Sequence, residues 1–393
     1  MIPLAIPNLS GNERKYLNDC IDSTFVSSVG EYVNRIEEMS AELTGTSYGV
    51  ATSAGTTALH TALLAVGVKP GDIVIAPSFT FIATANAISH AGAKPWFIDI
   101  NPESWTIDID QLEDELSRKT VIKEMPCDDG KLIKKLVYKE TNQCISAIMP
   151  VYTLGNIPDM DRLKTIAFKY SIPIVADAAA AIGSTYKGKK VGELSDLTAL
   201  SFNGNKTVTA GGGGMIVGND ENLLKLCKHL STTARVSAEY DFDMVGYNYR
   251  MTNLQAAVGV AQLEQLDAFV KRKREVREYY NQAFKDIDKV KLFVEPDYCK
   301  SSCWFSGIVL EKGNLDMVRK LCSYLKDNGI EARSFWKPVH LQIPYLEALK
   351  ADDLSVTEGL WDRIITLPCS TNISDGELEY VEKYVRKGLD VLY

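Results

Sequence analysis

Between residues 47 and 216, short apolar or β-branched runs alternate with stretches of helical periodicity, and this alternation narrows the fold more than any other feature. YGVATS (48–53) precedes TTALHTALLAVG (56–67), and DIVIAP (72–77) precedes FIATANAISHAG (81–92) and KPWFIDI (94–100). ISAIMPVY (145–152), MDRLKTIAFKYS (160–171), IPIVADA (172–178), LTALSF (197–202) and GGMIVG (213–218) continue the series. Strand, helix and strand in repetition imply right-handed βαβ units, so the expected class is α/β with a mainly parallel sheet.

The pattern changes at Thr252. Residues 252–284 read as one long helix with Thr252 as its N-cap. A strand over 301–310, a helix near 315–328, an extended piece near 330–337 and a final helix over 375–392 follow. The expected organisation is a large domain over 1–251, then a connecting helix and a smaller α+β domain over 252–393. The charged stretch 117–143 breaks the series and reads as a surface insertion in the form of a hairpin.

Composition narrows the function class. With 393 residues and 46% apolar side chains the chain can bury a sizeable core, and its net charge of −8 argues against a nucleic-acid binder. No apolar stretch approaches a membrane span, and the opening MIPLAIPNLSGNERK lacks the pattern of a signal peptide, so a cytoplasmic protein with no membrane partner is expected. The eight cysteines are scattered without a CxxC pair. Free thiols are therefore expected, with no metal site.

Three stretches carry chemistry. In TSAGTTALH (52–60) a strand end leads through Gly55 into a helix that opens at Thr56 and Thr57; free N–H groups there can cradle a phosphate. In IVADAAAAIG (174–183), Asp177 ends a strand where an open α/β sheet places its ligands. In SFNGNKTVTAGGGG (201–214), Lys206 follows another strand end, five residues after Ser201, and the glycines allow close backbone approach. Each has an ordinary structural reading when taken singly: a turn, a helix cap, a solvated cation. Together, a phosphate cradle, an acid for a ring nitrogen and an amine meet the requirements of pyridoxal phosphate chemistry.

These stretches, with FVSSVGEYVNRIEEMSAELTG (25–45), MPVYTLGNIPDMDRL (149–163), GYNYRMTNLQAAVGVAQLEQLD (246–267) and ARSFWKPVHLQ (332–342), make the chain resemble the DegT/DnrJ-type sugar aminotransferases nearly end to end. The resemblance implies a fold type I pyridoxal phosphate-dependent transferase with a three-layer αβα large domain. It implies that Lys206 carries the cofactor as a Schiff base and shuttles a proton, and that Asp177 pairs with the pyridine nitrogen. Gly55, Thr56 and Ser201 would hold the phosphate with Thr57 alongside, and Phe81 would stack on the ring. Asn248 would reach the phosphate of a partner subunit, making an obligate homodimer with shared sites. Ser27, Arg250, Arg333, Lys337 and His340 are candidates for the sugar nucleotide. One departure stands out: ADAAA replaces the family's EDAAQ or EDAAH, so Ala180 stands where a side chain normally meets the cofactor's ring hydroxyl.

The expected reaction takes an amine from L-glutamate, leaves the cofactor as pyridoxamine phosphate, and gives the amine to a nucleotide-linked keto sugar. FVSSVG and the 117–143 insertion resemble the branch acting at C4 of UDP-2-acetamido-2,6-dideoxy-hexos-4-ulose, which leads to diamino-trideoxy sugars of surface glycans. Alternatives are a dTDP-3-keto or 4-keto-6-deoxy sugar substrate, or a non-catalytic sensor or scaffold favoured only by Ala180. A sugar 3-dehydratase is disfavoured because those lineages replace the lysine with histidine. A desulfurase or aldolase is disfavoured by GYNYR.

Overall fold

The structure is a computed structural model that describes residues 1–126 and 131–392. Cys127 and the rest of 127–130, inside the expected insertion, lie outside the described residues.

The alternating region folds into one extended sheet. Its strands lie in the order Tyr48–Thr52, Gly214–Gly218, Leu197–Ser201, Val175–Asp177, Ile145–Ile148, Ile73–Pro77, Lys94–Ile98. Two parallel bridges, Ile148 to Ile174 and Val151 to Asp177, join its halves. Only Gly214–Gly218 runs against its neighbours, pairing antiparallel on both sides. The carboxyl ends of the other strands therefore share one edge, which gathers Thr52, Pro77, Asp177 and Ser201. The helix Gly55–Ala65 is buried on nearly every face, from Ala58 to Leu63 and at Ala65, as expected of a helix enclosed by sheet and other helices.

The glycine run has a steric cause. Gly213 is left-handed, with φ 108, and a Cβ on Gly214 would stand 2.4 Å from the Ala54 carbonyl oxygen. Residues 213 and 214 thus let the last strand pass beneath the turn that opens the helix at Gly55.

After residue 290 a second, antiparallel sheet forms in the order Val290–Leu292, Ser306–Leu310, Ile364–Leu367, Arg333–Ser334. Its apolar cluster takes in the helices Leu315–Asp327 and Asp375–Leu392 and reaches back to Leu4 and Phe79. The N-terminal arm is tied into this region, because Ile2 bridges Ile330 and the Cys369 N–H donates to the Leu4 carbonyl over 2.8 Å.

Two sequence expectations need correction. The helix expected over 252–284 is two helices, Asn253–Leu263 and Leu266–Phe284. Thr252 does cap the first, accepting from the Gln255 N–H over 3.2 Å. At the break the side chains are taken up by the N-terminal segment: Gln262 Nε2 donates to the Asn8 carbonyl, and Glu264 accepts from Tyr16. The strand expected over 301–310 begins only at Ser306, because 301–305 form an irregular segment with Cys303 at φ 53. The expected hairpin is present as Thr120–Pro126 paired with Leu132–Tyr138. No helix among the described residues is long and apolar enough to cross a membrane.

Candidate active site

A cavity of about 470 Å³ opens at the common carboxyl edge of the main sheet. Gly55, Thr56, Phe81, Asp177, Ala180, Ser201, Lys206 and Arg333 all line it. The sequence places these residues far apart; parallel strands bring them together because each follows a strand end on the same edge.

Asp177 is 6% exposed and ends the strand Val175–Asp177. Thr84 donates to its Oδ2 over 2.6 Å, and the Ala179 N–H donates to Oδ1 over 3.2 Å. Burial raises the carboxyl pKa above the ordinary aspartate value; these two bonds and the charge of Lys206 oppose that rise. Thr84 is in turn 2.6 Å from Thr80 Oγ1, so a short hydroxyl chain fixes the carboxylate.

Lys206 is half-buried, and loss of water lowers its amine pKa to about 8 against the opposing pull of Asp177. Its Nζ stands 3.6 Å from the centroid of the Trp304 ring. The Trp304 Nε1 donates to the Asn205 carbonyl over 2.7 Å. The amine is thus held in an apolar, aromatic setting and is close to half-neutral near pH 8, as an attacking amine needs.

At the far end the helix N-terminus supplies backbone N–H groups with no intrahelical acceptor at Gly55 and Thr56. A Cβ on Gly55 would meet the Ser201 side chain at 2.9 Å, so only glycine lets the serine hydroxyl stand against this turn. Thr57 Oγ1 accepts from the Ala54 N–H at 3.0 Å and donates to the Ala54 carbonyl at 2.8 Å, closing the cap of this helix. Phe81 is 55% exposed, with its ring 5.9 Å from Trp336 across the mouth. Ala180 presents a methyl group to the cavity, while its carbonyl accepts from Ser302 Oγ at 3.0 Å.

The donor set fits pyridoxal phosphate. An anion cradle of N–H groups beside a hydroxyl, a buried carboxylate and a depressed-pKa amine line one cavity.

Five candidates lie elsewhere on this chain. Ser27 is exposed, and its carbonyl accepts from the Asn253 N–H. Asn248 is exposed and bridges Thr232. Arg250 lines a separate cavity of about 390 Å³ with Ser28, Lys228 and Thr232. Lys337 is exposed outside the main cavity. His340 is 1% exposed and does not line it either; its Nδ1 is 2.5 Å from Ser78 Oγ and its Nε2 2.9 Å from Glu358. That imidazole ties the 335–341 segment to the turn that carries Phe81. Sequence reasoning missed Thr84, Trp304 and Trp336. Thr84 stands three residues after Phe81 on the helical pattern, a usable signal; Trp304 fell in a stretch read only as a strand, and Trp336 in the family-matching ARSFWKPVHLQ, where it was passed over for its neighbours Arg333, Lys337 and His340.

The family model described as the DegT/DnrJ/EryC1/StrS aminotransferase family matches residues 7–386. A GDP-perosamine synthase of Escherichia coli O157:H7 is 36% identical over 381 residues, covering 97% of this chain and 96% of the relative. A UDP-4-amino-4,6-dideoxy-N-acetyl-beta-L-altrosamine transaminase of Campylobacter jejuni is 32% identical over 356 residues, covering 90% of this chain and 88% of the relative. Among solved structures, a DegT DnrJ EryC1 StrS aminotransferase from Brucella abortus superposes with a TM-score of 0.85 at 27% identity, covering 96% of this chain and 95% of that one.

Proposed function

The chain belongs to the DegT/DnrJ/EryC1/StrS aminotransferase family, and from that premise we propose that it moves an amino group from L-glutamate to C4 of a nucleotide-linked 4-keto-6-deoxy sugar. It is a pyridoxal phosphate-dependent sugar aminotransferase, with a fold type I scaffold. One observation supports the residue roles most directly: Lys206, Asp177 and the helix N-terminus at Gly55 line the same cavity.

The cofactor, when bound, supplies an electron sink for the carbon that loses or gains the amine. In this reading Gly55, Thr56 and Ser201 hold its phosphate, Asp177 keeps the ring nitrogen protonated, and Phe81 packs on the ring. Lys206 would hold the cofactor through its amine and, when that amine is free, would take the proton from the amine-bearing carbon of glutamate and return one to C4 of the sugar. The balance is L-glutamate plus keto sugar giving 2-oxoglutarate plus amino sugar, in two half reactions. Arg333 lines the cavity mouth and is our candidate for an anionic group of either substrate. With Ala180 in place of a polar side chain, the ring hydroxyl loses a direct partner, a difference on the order of 1 kcal/mol.

The enzyme acts, in this reading, in the cytoplasm as a homodimer. Asn248 lies outside this chain's cavity and is exposed, as a residue that serves a second copy must be. Phe25, Val29, Tyr240, Phe242 and Val245 are exposed apolar side chains on the same two segments as Ser27 and Asn248. Burying them against a second copy would remove that apolar surface from water.

Two nucleotides compete. FVSSVG and the 120–138 hairpin favour a UDP-linked 2-acetamido sugar, and the Campylobacter relative is named for a UDP sugar with a 4-amino group. The name of the Escherichia relative favours GDP. The test is mass spectrometry of products from purified enzyme, L-glutamate and, separately, UDP- and GDP-linked 4-keto-6-deoxy sugars and a dTDP-linked 3-keto sugar. An amino sugar from either of the first two supports the reading and picks the nucleotide. Turnover of the 3-keto sugar alone overturns it.

A further inference from the structure

Lys206 and Trp304 come from distant parts of the sequence, the first from the loop after Leu197–Ser201 and the second from the irregular segment before Ser306–Leu310. The Nζ to ring-centroid distance of 3.6 Å is well inside the range at which an ammonium is drawn to the face of an indole. We propose that the indole face of Trp304 is the seat of the Lys206 amine whenever that amine is not covalently engaged, which makes Trp304 a positioning residue for the transferring lysine. This rests on the assignment of Lys206 as the cofactor-bearing lysine.

The tryptophan is fixed from several sides, and the lysine is not. Trp304 is 3% exposed. Its Nε1 donates to the Asn205 carbonyl at 2.7 Å, so the ring is registered against the residue next to the lysine. Its backbone N–H donates to the Leu154 carbonyl at 3.1 Å, and its own carbonyl accepts from the buried Lys273 Nζ at 3.0 Å. Phe305 packs against the ring with centroids 4.3 Å apart. The positive φ of 53 at Cys303 is the backbone cost of presenting the indole from this segment. By contrast, the Lys206 side chain has four rotatable bonds and a terminal charge, and Asp177 acts on it only from a distance beyond direct pairing.

A seat of this kind suits an amine that must alternate between bonded and free. The indole face attracts the ammonium through its quadrupole and keeps van der Waals contact with the neutral amine, so neither protonation state is expelled. With the amine pKa near 8, both states are populated near neutrality. A freed amine without a seat would sweep many rotamers, and a misplaced reacting group costs up to about a hundredfold in rate.

The test uses Trp304→Phe, which keeps a ring face but no N–H donor, and Trp304→Leu, which keeps neither. The apoproteins are reductively methylated with carbon-13 formaldehyde, and the Lys206 methyl resonance is assigned by its absence in Lys206→Arg. In wild type that resonance should lie upfield of the other lysines through the indole ring current; the shift should shrink in Trp304→Phe and vanish in Trp304→Leu. In the holoenzymes, kcat should fall about 10- to 100-fold in Trp304→Leu with KM for both substrates nearly unchanged, and Trp304→Phe should recover most of it. An unshifted wild-type resonance overturns the proposal. So does a Trp304→Leu enzyme with wild-type kcat, or a Trp304→Phe enzyme as impaired as Trp304→Leu while its melting temperature is kept. The resonance is read without cofactor or turnover, so its failure is distinct from failure of the aminotransferase reading.

Discussion

Thr84 Oγ1 donates a 2.6 Å hydrogen bond to Oδ2 of Asp177 and so holds a buried carboxylate that lines the cavity. Asp177 is already pushed toward its neutral form by burial, and this bond is the largest influence that opposes it. Replacing Thr84 with valine removes the bond and keeps the shape. A hydrogen bond to a charged group contributes about 1.5–3 kcal/mol. Thr84→Val should therefore lower kcat by roughly tenfold or more, and Thr84→Ser should retain most of it. Steady-state kinetics of the two variants checks this; equal activity in wild type and Thr84→Val contradicts it.

The depressed amine of Lys206 gives a pH dependence with a definite sign. Below about 8 the amine is mostly protonated and cannot attack a carbonyl; above it the neutral form predominates. The rate at which apoprotein captures pyridoxal phosphate should rise with pH and level off just above 8, rather than climbing toward the 10.5 of an ordinary lysine. Stopped-flow absorbance across pH 6 to about 10 reads this directly, and a midpoint near 10 would place the amine in water rather than in the cavity.

The shared-site reading predicts complementation. Lys206→Ala and Asn248→Ala homodimers should each be impaired, the first nearly inactive. If Asn248 of the partner subunit completes each site, a hybrid dimer has one doubly altered site and one intact. Random reassembly of equal amounts should then restore about a quarter of wild-type activity. Activity of the mixture that equals the mean of the two homodimers places Asn248 in its own chain's site.

Much of this was legible in the chain itself, for a physical reason. Residues on consecutive parallel strands are set by local periodicity, and a strand end marks the ligand edge wherever the connection is right-handed. Lys206, Asp177 and Gly55 could therefore be placed on one edge from their positions alone. The break between Leu263 and Leu266 was not legible, because apolar periodicity runs through it without glycine or proline. Its cause is tertiary: Gln262 and Glu264 bond to the N-terminal segment some 250 residues away. The irregular 301–305 segment escaped for the same reason. Ser301, Ser302 and Cys303 carry strand-like composition, but their polar atoms are claimed by Ala180, Ser184 and one another. Trp304 then lands beside Lys206 through packing that no motif announces. His340 shows the converse limit of motif reading. A histidine in a recognisable stretch suggests a ligand contact, yet its two ring nitrogens are already occupied by Ser78 and Glu358.

The most direct test of the central claim is the visible absorption spectrum of the purified protein loaded with pyridoxal phosphate, recorded before and after L-glutamate. A yellow band that is absent in Lys206→Ala and bleaches on adding glutamate, with one equivalent of 2-oxoglutarate released per site, is the result this account predicts. A protein that shows no such band after incubation with the cofactor, or a band that Lys206→Ala retains in full, would contradict it.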